Sequence, residues 1–288
     1  MQNRKEHLKQ VFDDTIDYIE NNDWLHNKTD ESDYNSTVYD EEFIREHLKY
    51  LELARVDNYL NNVYVTKNTT LQAAKDLSRR YPNKKIGILN FASATNPGGG
   101  VDKGASAQEE CICRCTNLYP CLNTLDNWFS FYKPHRYEKN PLHNDDVIYT
   151  PNILMCKTEE PEFKRLRENE CIKFDVITCA APNLREKPNN TYNQEGTNSA
   201  VMISDEELYN IHLQRAKAIL YVAICNDIKC LVLGAFGCGA FRNNPYIVAK
   251  AYKEALKDYS NYFDEIEFAI YCRDYETTNY DAFDEVLG

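Results

Sequence analysis

Leu8, Val11, Phe12, Ile16 and Ile19 recur at intervals of three and four, which predicts an amphipathic helix over residues 3–20. Polar residues then take over. The stretch HNKTDESDYNSTVYDE (26–41) shows no apolar period and is expected to be a flexible link or exposed loop. A short helix is expected from Glu41 to Leu53. From about residue 62 the pattern changes, and short apolar runs alternate with helical ones. VYVT (63–66), KIGILNFA (85–92), VIYT (147–150), NILMC (152–156), CIKFDVITCAAP (171–182), KCLVLGAF (229–236) and IEFAIYC (266–272) read as strands, with Pro151 splitting one pair. Between them, Thr69 or Thr70 caps a helix carrying Leu71, Ala74 and Leu77, and another helix starts near Ser106. A long helix runs from Asp205 with Leu213, Ala216, Leu220 and Ala223 on one face. Asn244-Pro245 opens a further one, with Val248, Ala251, Tyr252 and Ala255. Apolar strands alternating with helices indicate an α/β protein whose central sheet is largely buried.

With 288 residues, 43% of them apolar, the chain suits one large domain or one domain with an appendage. No run approaches the length of a membrane span, and MQNRKEHLKQVFDD lacks the apolar core of a secretory signal. The eleven cysteines are odd in number, and Cys171, Cys179, Cys225, Cys230 and Cys272 sit in apolar runs. They read as reduced thiols, which places the chain inside the cell, in cytoplasm or nucleus. A net charge of −12 argues against gripping DNA or RNA. An anionic ligand would have to be held by local backbone dipoles instead.

Glycine is scarce, ten residues in all, yet seven of the ten fall in the windows 98–104 and 234–239. A chain this sparing places glycine where backbone approaches something closely or takes positive φ. The first window, NFASATNPGGGVDKGASAQEECICRC (90–115), is a strand end, three consecutive glycines and a helix start. Unhindered N–H groups of that kind suit a phosphate or diphosphate. It is neither a Walker loop nor the dinucleotide fingerprint, whose spacings are absent. The second, LGAFGCGAFRNNP (233–245), is a strand, Gly-x-x-Gly-x-Gly and a capped helix. A tight strand-to-helix turn explains either window alone equally well; two at the strand ends of one α/β domain favour a two-phosphate ligand between them. Ser106 to Glu109 reads as a capping box, which accounts for Glu109 but not for Glu110. Adjacent carboxyls beside an anion hold a proton more readily, so the pair could serve as acid and then base on a glycosidic bond.

GGG (98–100), seven residues and QEE (108–110) resemble the signature of poly(ADP-ribose) glycohydrolases, and the flanking NFASATNPGGG and QEECICRCTNLYPCL resemble the microbial-type branch of that family. TCAAPN (178–183) and LGAFGCGAFRNNP (233–245) extend the resemblance, which spans residues 63 to about 272. It implies a macrodomain-like three-layer α/β/α fold with a mixed central sheet over residues 61–288; residues 1–60 match only loosely, through a helical segment around FDDTIDYI, and are expected to form an N-terminal helical extension that buttresses the sheet. It implies hydrolysis of the ribose–ribose O-glycosidic bonds of ADP-ribose polymers. Glu110 would be the acid/base, Glu109 would hold the ribose hydroxyls and Gln108 would orient the loop. Gly98, Gly99 and Gly100 would pass close to the diphosphate and distal ribose; Gly237, Cys238, Gly239 and Ala240 would offer N–H groups to phosphate, with Phe241 on the ribose. Thr69 or Thr70 would lie near the adenine. Thr95, Val101 and Phe236 depart from the family's usual residues. No metal or other cofactor is implied. The expected partners are ADP-ribose, poly(ADP-ribose) and poly(ADP-ribosyl)ated proteins, met by a monomer without nucleic acid or membrane. The alternatives are a macrodomain that binds ADP-ribose without cleaving it and a hydrolase of single ADP-ribose groups; the intact Glu109-Glu110 pair favours an enzyme.

Other signals fit plainer explanations. CICRC with Cys121 lacks the ligand spacing of a zinc site, and the first histidine after it is His135. None of the six histidines sits in a setting that would pair it with a nucleophilic cysteine. The 21 tyrosines are scattered and do not form a nucleic-acid stacking platform.

Overall fold

A computed structural model describes residues 4–51, 57–191, 194 and 197–288. In chain order the elements are α1 (Arg4–Glu20), α2 (Asp23–Tyr34), β1 (Thr37–Tyr39), α3 (Glu41–Leu48), β2 (Val63–Thr66), α4 (Thr70–Arg80), β3 (Ile86–Ala92) and α5 (Gln108–Cys115). There follow α6 (Leu118–Leu122), α7 (Leu125–Asn127), a π-helical turn (Trp128–Tyr132), α8 (Lys133–Glu138), β4 (Val147–Met155) and β5 (Ile172–Ala180). The chain closes with α9 (Asp205–Cys225), β6 (Cys230–Leu233), α10 (Pro245–Tyr259), β7 (Glu265–Ala269) and α11 (Thr278–Leu287).

The strands form one seven-stranded mixed sheet in the order β1-β4-β5-β3-β6-β7-β2. The run β5-β3-β6-β7-β2 is parallel, and β4 and β1 add antiparallel strands at one edge. Successive strand residues point to opposite faces. Ile88, Val176 and Val232 meet α4 and α5 on one side, while Leu89, Ile177 and Leu231 meet α9 and α10 on the other. Burial on both faces is why these segments read as continuous apolar runs. The three-layer arrangement and the N-terminal helical extension are as the sequence predicts. No helix among the described residues is long and apolar enough to cross a membrane.

Residues 4–48 are fastened to the rest of the fold. Buried Lys157 donates to Val11 O (2.9 Å) and Thr15 Oγ1 (3.2 Å), and it pairs with Asp14 at 2.6 Å. Thr15 Oγ1 in turn donates to Arg114 O at 2.6 Å, which fastens α1 across α5.

Three expectations are corrected. Residues 26–41 are mostly ordered secondary structure: α2, capped by Asn22, and the edge strand β1. Their buried stripe is Leu25, Thr29 and Ser32, and the two hydroxyls bond the carbonyls of Leu25 and Lys28 in their own helix. A stripe of small polar residues that satisfy themselves carries no apolar period. The helix expected at 41–53 ends at Leu48, with the predicted end at Leu53 outside the described residues. Pro151 does not split a strand. β4 runs through it with a register shift between Thr150 and Ile153, where Asn152 takes φ 58° and its N–H turns to Asp175 Oδ1 at 2.9 Å. A bulge absorbs the missing donor of the proline.

Candidate active site

Parallel pairing of β3 with β6 brings both glycine windows to one edge of the sheet. β3 ends at Ala92 and leads through Ser93–Gly100 to α5; β6 ends at Leu233 and leads through Gly234–Asn243 to α10. Between them opens a cavity of about 720 Å³ whose walls include Gly99, Glu109, Glu110, Gly237, Gly239 and Phe241. That is the size of a small-ligand site. Gln108 and Ala240 also line it, as do Thr69 and Thr70; Gly98 and Gly100, both buried, and the half-buried Cys238 are not part of the lining.

The N-terminus of α5 does not use the predicted capping box. Its cap is Ala107, which has no side-chain bond, and Glu109 turns inward instead of back to Ser106. There Glu109 Oε2 accepts from Ser93 N at 2.8 Å, with Asn90 Nδ2 at 3.4 Å from Oε1. A buried loop N–H has no water to turn to, so it claims the carboxylate that a solvated Ser106 can do without. Burial, and then the neighbouring Glu110, hold the Glu109 carboxyl well above the usual carboxylate range.

Gln108 binds three elements together. Its Oε1 accepts from Phe91 N at 2.8 Å, and its Nε2 donates to Leu89 O (2.7 Å) and to Thr70 Oγ1 (3.1 Å). Helix α5 is thereby pinned to β3 and α4. Glu110 Oε1 accepts from Gly100 N at 3.0 Å, while Oε2 is buried with no hydrogen-bond partner among the described residues. Gly99 makes room for this pair. It sits at φ 61°, and a Cβ there would lie 2.6 Å from Glu110 Oε1 and 3.0 Å from Glu109 Oε2.

The second window is held by Asn243, which sequence reasoning missed. Its Nδ2 donates to Pro182 O (2.7 Å) and Gly237 O (3.0 Å), and its Oδ1 meets His212 Nε2 at 2.9 Å. Gly237 has φ 76°, and a Cβ would lie 2.7 Å from both Ala181 Cβ and Asn243 Nδ2. Arg185 braces the same loop: Nε donates to Ala240 O at 2.6 Å and the guanidinium lies 5.1 Å over the Phe241 ring. Arg136 does this for the first loop, donating to Thr95 O (2.7 Å) and Asn96 Oδ1 (2.6 Å). Asn90 was visible as a polar residue inside an apolar strand; Asn243, Arg136 and Arg185 gave no such signal. Thr69 caps α4 and donates to Glu159 Oε2 at 2.8 Å. The three cysteines of CICRC face different surroundings: Cys111 lies in the cavity wall, Cys113 in the core, and Cys115 in the core where it borders the cavity.

The family described as microbial-type PARG, catalytic domain, matches residues 13–158. Among solved structures, the chain is similar to poly(ADP-ribose) glycohydrolase from Thermomonospora curvata, with 27% identity over 97% of this chain and 99% of that one and a TM-score of 0.82. The T. curvata protein bound to the inhibitor ADP-HPD gives 26% identity, the same coverages and a TM-score of 0.80. Poly(ADP-ribose) glycohydrolase from Deinococcus radiodurans in complex with ADP-ribose gives 27% identity over 90% of this chain and 96% of that one, with a TM-score of 0.72. No curated protein matches the chain.

Proposed function

The chain belongs to the microbial-type PARG catalytic-domain family, and from that membership we propose that it is a poly(ADP-ribose) glycohydrolase whose acid/base is Glu110. The observation that carries the assignment is Glu110 Oε2, a buried carboxyl oxygen in the wall of the cavity without a partner among the described residues. A polar atom left unsatisfied in a folded core is costly unless a ligand completes it. The glycosidic oxygen of a bound polymer is such a ligand.

In the reaction, the Glu110 carboxyl gives its proton to the oxygen of the leaving ribose as the bond from that oxygen to the anomeric carbon breaks. The departing electron pair leaves an oxocarbenium-like ribosyl cation. The carboxylate then takes a proton from water, whose oxygen bonds to the anomeric carbon, and ADP-ribose is released. One carboxyl thus serves twice, unlike the usual paired-carboxylate glycosidase. Glu109 holds ribose hydroxyls, and Gln108 keeps α5 in register with β3. Gly98, Gly99 and Gly100 let the distal ribose and diphosphate approach the backbone. Gly237, Cys238, Gly239 and Ala240 direct N–H groups to phosphate, and Phe241 packs on the ribose. Residues 61–288 form the catalytic unit, buttressed by residues 1–60. The chain acts as a monomer on poly(ADP-ribosyl)ated protein, and its eleven free cysteines support a reducing compartment inside the cell.

The test compares wild type with Glu110→Gln on poly(ADP-ribosyl)ated protein, following ADP-ribose release and the calorimetric binding of free ADP-ribose. Release by wild type, its loss in the variant and retained binding are expected. Binding without release by either protein would refute the poly(ADP-ribose) glycohydrolase and leave a reader or a hydrolase of single ADP-ribose groups, which mono-ADP-ribosylated substrates then separate.

A further inference from the structure

Residues 125–138 lie outside the cavity, yet they carry an unusual surface. Phe129 and Tyr137 are 59% and 75% exposed, where large aromatic rings are ordinarily covered. Lys133 stands between them on the same helical face, its ammonium 4.8 Å from the Phe129 ring centre and 5.8 Å from that of Tyr137. Beside this line Arg136 lies 4.6 Å over the half-buried ring of Trp128. From Trp128 to Lys139 the cations Lys133, Arg136 and Lys139 face a single acid, Glu138, on a chain whose net charge is −12.

The position of this ladder relates it to the cleft. Arg136 is the residue that grips Thr95 O and Asn96 Oδ1, immediately before Gly98. The ladder therefore flanks the loop that, on the proposed function, receives the distal ribose and hence the side from which the remainder of the polymer departs. Rings alternating with cations match a strand that alternates adenine bases with diphosphates. Bases stack on aromatic faces without regard to sequence, and the phosphates meet local positive charge.

We propose that Phe129, Lys133 and Tyr137, with Trp128 and Arg136 beside them, form a docking surface for the poly(ADP-ribose) chain beyond the bond being cut. This rests on the glycohydrolase reading. The surface gives long chains an affinity that the terminal unit alone lacks, and it retains the shortened polymer after each cut.

The experiment uses the full chain, with Phe129→Ala/Tyr137→Ala and Lys133→Glu, on long poly(ADP-ribose) and on the two-unit chain that has a single ribose–ribose linkage. Phe129 and Tyr137 are exposed and Lys133 is half-buried, and far-UV circular dichroism checks the fold. For long chains the KM is expected to rise roughly tenfold in each variant. On the two-unit chain, which leaves one unit beyond the bond, the KM rises less, so the wild-type preference for length shrinks. Lys133→Glu should also flatten the dependence of long-chain KM on salt. If wild type releases ADP-ribose and both variants keep its KM on long chains, the docking surface is refuted and the glycohydrolase stands. If wild type releases nothing from either substrate, the glycohydrolase reading falls, and this one with it.

Discussion

Gly99→Ala tests the site at its narrowest point. A Cβ at this position would lie 2.6 Å from Glu110 Oε1, and ordinary contact begins at 3.4 Å, so the carboxyl must retreat by about 0.8 Å, the difference between the two. Because Oε1 is held by Gly100 N, the retreat stretches that bond or rotates Oε2 away from the cavity. A displacement approaching 1 Å at a reacting group costs on the order of 10²-fold in rate. The left-handed φ of 61° adds about 1 kcal/mol of strain for an L-residue, which in a domain of this size lowers Tm by about 2 °C. Initial rates of ADP-ribose release from poly(ADP-ribosyl)ated protein, with thermal unfolding alongside, would read both effects. A large loss of kcat with a small loss of Tm is expected. Wild-type kcat at an unchanged Tm would refute the placement of Glu110 as the acid/base. Gly239→Ala gives the contrast in stability, since a Cβ there meets nothing within 4 Å, and its Tm should match wild type.

Four further outcomes are expected. Gln108→Ala strands Phe91 N and Leu89 O and should cost about 2 kcal/mol in denaturant unfolding. Asn243→Ala frees the second glycine window and should weaken ADP-ribose binding about tenfold by calorimetry, a loss of one buried, multiply bonded side chain. Glu109 has its folded pKa raised above the ordinary 4.5, so the folded protein retains a proton that the unfolded chain releases, and this contribution to stability declines as pH rises above about 4.5. Glu109→Gln should therefore raise Tm relative to wild type at neutral pH, with the gain vanishing near pH 4; a gain that persists there would refute the sign. Deleting residues 1–60 removes the partners of Lys157 and the edge strand β1, and a truncated chain with wild-type Tm and activity would refute the buttress.

The strands of the parallel core were legible because both of their faces are buried, which writes them as apolar runs. The same logic hid α2, whose inner stripe of Thr29 and Ser32 is polar in composition and apolar only in effect. Pro151 misled because a proline breaks a ladder in general, whereas here a bulge and Asp175 absorb the missing donor. Helices α6 to α8 are too short to show a period, and α11 buries only Ala282, Phe283 and Leu287. In the site, glycine scarcity marked both loops and the paired acids marked α5. The braces did not show, because Asn243, Arg136 and Arg185 act across 61, 41 and 55 residues of chain, on Pro182, Thr95 and Ala240. Contacts of that separation have no local signature.

The attachment of α1 carries a consequence for the order of assembly. Its anchors are Arg114 O, Lys157, Arg165 and Leu166 O, all of which leave the ribosome well after residue 20. At about 5 to 20 residues per second that interval is roughly 5 to 30 s. Through it the first helix has only α2 to pack on, through Ile19 and Leu25, and the rest of its apolar stripe, Leu8, Val11 and Phe12, stays in water or with a chaperone. The sheet closes late for the same reason, since β1 awaits β4. Nascent chains stalled before residue 147 should be cut by protease within residues 4–39, and chains stalled with residue 166 outside the exit tunnel should be protected there. Early protection would mean that α1 finds a different partner first.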